Sequence, residues 1–249
     1  MSFLSWLGGE VGATDPYCVR LGWDVKYALT KAFIAAAHAM KLHDARVLIM
    51  STEPLVDIVP PPYATDIQHM DAATAHEDQF QVTDMICGRM CPELGGEESL
   101  LDIMGLNFYY SNRYSGVEGD VISWINEFED PRFRPLHQML FDVHQRYGRP
   151  FIISETSHPG KDRLPWLQHI GEECGVCLDM GLPLWGVCWY PIIDRPDWDD
   201  LSYWHQSGFW DLDQANKERF GRHLHEPLVQ GLQEVQDKLR HHEEFLFNN

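Results

Sequence analysis

The sequence predicts an α/β fold: a parallel sheet of about four strands, each followed by a helix that covers it. Three observations carry this. Short apolar runs alternate with longer amphipathic stretches from end to end, the order that parallel strands joined by crossover helices require. The clearest run, Phe151-Ile152-Ile153-Ser154, is partly β-branched and opens after Gly148-Arg149-Pro150, as a buried strand does. The chain of 249 residues matches the ~250 of a whole eight-unit barrel, yet only four convincing core strands can be counted. Either four strands are missing or the sheet is open.

The elements follow in order. Residues 23–42 form an Ala-rich helix, with Ala28, Ala32, Ala35, Ala36 and Ala39 near helical spacing. A strand covers 46–51, a helix 72–89 and a second strand 100–109. Pro131 to Pro135 leads into a helix ending at Arg146, and the strand that reaches Glu155 follows. The next helix covers 165–180, with Pro165 at its start and Gly181 after its end. A fourth strand covers 184–190, and a long helix covers 226–245. No repeat or low-complexity linker interrupts the series, so the expectation is one domain over 1–249.

Composition excludes several functions. The net charge of -19, from 38 acidic against 19 basic residues, repels phosphate backbones and anionic membranes. A neutral ligand such as a sugar suits it. No apolar run approaches the roughly 18 to 20 residues of a membrane span. Residues 2–7 lack the basic flank and cleavage site of a signal peptide, so a cytoplasmic location is expected. Cys87/Cys91 and Cys174/Cys177 lack the turn-flanked spacing of a zinc knuckle. Buried reduced thiols and no metal or other cofactor are expected.

All four strands finish in polar or aromatic residues: Thr52-Glu53-Pro54, Asn107-Phe108-Tyr109-Tyr110, Ser154-Glu155-Thr156 and Trp189-Tyr190-Pro191. In parallel α/β folds the carboxyl ends of strands are where chemistry is assembled. A strand-end Glu also serves as a helix cap or an arginine partner, and a lone Trp is usually core. Trp, Tyr, Asn and carboxylates on one rim, however, are what a sugar needs: aromatic faces for its C–H surfaces, polar groups for its hydroxyls.

Three segments together resemble a family. Gly105-Leu106-Asn107-Phe108-Tyr109, Ile153-Ser154-Glu155-Thr156 and Val187-Cys188-Trp189, followed by Asp194-Arg195-Pro196-Asp197-Trp198, are similar in order and spacing to the last strands of family 1 glycoside hydrolases, the β-glucosidase group. The resemblance spans nearly the whole chain. It implies a partial TIM barrel of about four βα units, corresponding to strands five to eight. It also implies retaining hydrolysis of β-glycosides. Glu155 takes the nucleophile's place, Tyr109 donates to it and Asn107 lines the pocket. Trp189, Trp198 and Asp197 bind the sugar, with Glu53 on the same rim. Two departures stand out: Thr156 replaces the usual Asn, and Asp197 is one methylene shorter than the family's Glu.

A retaining pair needs a second carboxyl about 5 to 5.5 Å from the nucleophile. In the family it lies three strands earlier, which falls before Met1. The expectation is therefore an N-terminally truncated domain, with self-association through open sheet edges. The alternative is a carbohydrate-binding module or an inactive half-barrel.

Overall fold

The computed structural model describes residues 1–117, 119–125, 130–198, 200–213 and 221–247, with side chains through 240. The chain divides into two compact units, Met1–Phe133 with Arg149–Ile152, and Arg134–Gly148 with Ile153–Asn249.

The first unit opens with a single turn, α1 (Ser2–Leu4), and a π-type turn over Ser5–Glu10. Helix α2 (Gly22–His43) follows and buries Thr30, Ile34 and Ala37, one stripe at helical spacing. Strand β1 (Met50–Pro54) and the short β2 (Asp57–Val59) lead to α3 (Asp66–Asp78) and α4 (Gln81–Ile86). Thr65 and Gln68 form a reciprocal capping box at the start of α3. Strands β3 (Ile103–Asn107) and β4 (Arg113–Ser115) complete the unit. β1 pairs with β3 in parallel, Met50 opposite Ile103 through Pro54 opposite Asn107, and β2 pairs with β4 in parallel.

The second unit begins with α5 (Leu136–Tyr147), whose buried face is Leu136, Met139, Leu140, Val143 and Tyr147. Gly148, at φ 63°, closes it in the left-handed region, its N–H on the His144 carbonyl. Strand β5 (Phe151–Thr156) has its first two residues in the first unit and the rest in the second. Then come α6 (Arg163–Asp179), β6 (Leu184–Trp189), the short antiparallel pair β7 (Trp210–Leu212) and β8 (Arg222–Leu224), and α7 (Glu226–Phe247). α6 packs on α5 and α7. Trp185 and Val187 of β6 remain 58% and 41% exposed, beside an apolar groove of about 380 Å³ between α6 and α7.

The four main strands form one parallel sheet in the order β1–β3–β5–β6, with β1 and β6 outermost. The α/β class follows as the sequence predicts. Three expectations change. The first strand is not 46–51 but Met50–Pro54: the Ile49 carbonyl accepts both the Asp102 and Ile103 N–H groups, and the ladder starts only beyond it. The helix expected over 72–89 is broken into α3 and α4. There the Gln79 amide binds the Val56 N–H and carbonyl, at 2.9 and 3.0 Å, and these tertiary bonds outweigh local helix preference. The second strand is Ile103–Asn107, shorter than 100–109, because a 3-10 turn occupies Glu98–Leu100.

All six cysteines are free thiols. Cys87, Cys174 and Cys177 are buried, and burial pushes Cys177 up to about 12. Cys188 is exposed and Cys18 and Cys91 are half-buried, so burial holds for only part of the set. Among the described residues, no helix is long and apolar enough to cross a membrane.

Candidate active site

In the first unit, Glu53 and Asn107 stand at the ends of adjacent parallel strands. The Leu55 N–H continues onto the Asn107 carbonyl at 2.9 Å. Asn112 Nδ2 donates to the Leu55 and Asn107 carbonyls at 2.8 and 3.2 Å, which clamps the two strand ends together. Glu53 is buried, its Oε1 accepting from the Met1 amine at 2.8 Å and its Oε2 from the Ser2 N–H at 2.9 Å. Tyr109 is half-buried just beyond β3.

In the second unit, Glu155 is half-buried, one residue before the end of β5. Its neighbour Thr156 is fully buried, and Thr156 Oγ1 accepts from Trp166 Nε1 of α6 at 2.9 Å. The Thr that departs from the family pattern thus anchors the strand end to a helix. The Tyr190 N–H donates to the Thr156 carbonyl at 3.0 Å, which ties the end of β6 to the end of β5.

The loop after β6 carries the remaining candidates, and its base is heavily bonded. Trp189 is buried, donates Nε1–H to the Ser207 carbonyl at 2.8 Å and meets Phe209 edge-on. Asp194, also buried, accepts the Ser207 N–H at 3.2 Å. The Asp194 N–H donates to the Trp210 carbonyl and the Trp210 N–H to the Ile192 carbonyl. Gly208 permits this return: a Cβ there would lie 2.6 Å from Asp194 N. At the tip, Asp197 is half-buried and Trp198 is 76% exposed. Asp197 Oδ1 accepts the Asp200 N–H at 3.1 Å, and Oδ2 lies 2.7 Å from His205 Nε2. The Arg195 guanidinium lies 5.1 Å from the Trp198 ring centre and 5.6 Å from that of Tyr190, within cation–π range. Ser202, through its hydroxyl and N–H, holds the Asp200 carboxyl below its ordinary value.

The second unit thus brings Asp197 and Trp198 onto one tip and ties that loop to the strand end next to Glu155. Trp189 belongs to the base. His205 and Arg195 were not among the sequence candidates.

No protein-family model matches the chain, and a search of curated proteins gives no match. Solved structures do match. The family 1 β-glucosidase from Thermotoga maritima superposes with a TM-score of 0.67 at 14% identity, over 94% of this chain and 61% of that one. The β-glycosidase from Pyrococcus horikoshii gives 0.67 at 18% identity, over 92% and 58%. A hyperthermophilic β-glucosidase mutant that forms a dodecamer in its crystal gives 0.65 at 15%, over 92% and 54%.

The chain has the fold of about half a family 1 glycoside hydrolase barrel. It spans 54% to 61% of the length of these three structures, and the likeness is one of fold. Structures of the Thermotoga maritima β-glucosidase hold sugar-like ligands, deoxynojirimycin among them.

Proposed function

We propose that this chain carries the nucleophile side of a retaining β-glycosidase site, with Glu155 as the nucleophile. The observation that supports it most is position. Glu155 sits at the carboxyl end of a strand in a partial family 1 barrel, next to a strand end whose loop presents Asp197 and Trp198. Chemistry in such barrels is built on that face.

In the reaction, a Glu155 oxygen attacks the anomeric carbon, the bond to the leaving oxygen breaks, and a covalent glycosyl-enzyme forms. Asp197 accepts hydrogen bonds from hydroxyls of the bound sugar, and Trp198 offers an open aromatic face. Trp189 holds the loop that carries them. Asn107, Tyr109 and Glu53 belong to the first unit and carry no step of this proposal. The acid/base is assigned to no residue of this chain. A leaving group that departs without a proton is therefore the substrate on which the nucleophile can be tested by itself.

The experiment is incubation with 2,4-dinitrophenyl 2-deoxy-2-fluoro-β-glucoside, followed by peptide mass spectrometry. A fluoroglucosyl adduct on Glu155, absent in Glu155→Gln, is expected. An adduct on another carboxylate overturns the assignment. Sugar binding with no adduct at any pH indicates a carbohydrate-binding module instead.

A further inference from the structure

We propose that His205 is a positioning residue for the sugar-binding carboxylate Asp197, and that the pair acts as one hydroxyl-reading unit. This rests on the sugar-site reading above and extends it to a residue outside the recognised motif.

Two donors from within the loop orient the Asp197 carboxylate. The Asp200 N–H holds Oδ1 at 3.1 Å and His205 Nε2 lies 2.7 Å from Oδ2. Facing an ionised carboxylate oxygen at that distance, His205 Nε2 is the donor. The terminal torsion of an Asp is broad and roughly two-fold, and two donors on different oxygens fix it. Both side chains keep about a quarter of their surface in solvent, 28% for Asp197 and 26% for His205.

A partly exposed His–Asp contact of this length is ordinarily worth little. What sets this one apart is how firmly His205 itself is held. Its ring meets Tyr203 edge-on at 5.2 Å and 76°. The Gly160 N–H, from the loop after β5, donates to the His205 and Gln206 carbonyls at 3.2 and 3.1 Å. Gln206, at φ 52°, takes the left-handed conformation, which side-chain-bearing residues adopt at a cost. Its neighbour Ser207 is locked on both sides, N–H to Asp194 and carbonyl to Trp189. An imidazole fixed at its ring and at its backbone transmits that order to Asp197, as a binding group needs.

The test is calorimetric titration with deoxynojirimycin on the wild type, His205→Ala, His205→Gln, Asp197→Ala and the double variant, with melting curves for each. Loss of one hydrogen bond to a charged group predicts about tenfold weaker binding for His205→Ala. His205→Gln, whose amide can donate from nearly the same place, should recover most of that affinity. In the Asp197→Ala background the His205 change should add nothing. Wild-type affinity in His205→Ala, or an undiminished further loss in the double variant, overturns the positioning role while the sugar reading stands. Absence of binding to the wild type overturns both. A long-range ¹H–¹⁵N spectrum that shows the His205 proton on Nδ1 would sink the positioning role without touching the sugar reading.

Discussion

At the base of the loop after β6, Trp189 is 8% exposed, with its indole N–H bonded to a backbone carbonyl. At the tip, Trp198 is 76% exposed, with the Arg195 guanidinium near its ring. Both follow a similar sequence logic, an aromatic residue at or beyond the end of β6 in a family-like motif. The difference lies in what surrounds them. The Ser207 carbonyl and the Phe209 ring meet the first, whereas the second stands beside a turn whose bonds are made by Asp197, Asp200 and Ser202. One tryptophan holds the loop, and the other stands open to solvent.

Substitutions should separate the two regions. Trp189→Ala removes a buried aromatic and its hydrogen bond. It should cost about 3 to 5 kcal/mol of unfolding free energy, measured by urea titration. A cost no larger than that of Trp198→Ala would erase the distinction. Asp194→Ala leaves the Ser207 N–H without its acceptor in a buried site. A smaller cost of about 1 to 3 kcal/mol is expected, together with weaker deoxynojirimycin binding as the tip loosens. Trp198→Ala should change stability by less than about 0.5 kcal/mol, yet weaken the same ligand by roughly tenfold through the lost stacking face. Normal binding in that variant would remove Trp198 from the site.

The smallest effect concerns pH. His225 precedes α7, and its Nδ1 accepts the Leu228 N–H at 3.2 Å, an acceptor at the helix start. Burial, followed by the nearby Arg163, holds its pKa below the ordinary 6.5. The unfolded chain therefore takes up this proton first, so stability is complete above about 6.5 and falls as pH drops towards the folded value. His225→Asn, which keeps a capping oxygen but does not titrate, should flatten that part of a melting-temperature profile. An unchanged slope would free His225 from the role.

The sequence made the strand–helix alternation legible because runs such as Phe151-Ile152-Ile153 are short, apolar and clearly punctuated. It hid features set by distant partners. Gln79 breaks a helix only because Val56 lies beside it. The three-residue strands β2, β4, β7 and β8 are too short for an alternating pattern to register. In the candidate site, Asp197 and Trp198 stood out as part of a motif. His205 did not, since a residue that meets its partner by chain reversal leaves no periodic trace. Trp189 shows the converse: composition marks a tryptophan at a strand end but says nothing of whether neighbours will close over it.

The bonded base of the loop also bears on how this protein could be altered. Ile192 with Trp210 and Asp194 with Ser207 bring the two arms of the loop together, so the segment between them leaves and re-enters the fold through a narrow neck. A stretch joined that way is a cartridge. Libraries confined to the residues between Asp194 and Ser207 should vary ligand choice while the rest of the fold serves as an unchanged socket.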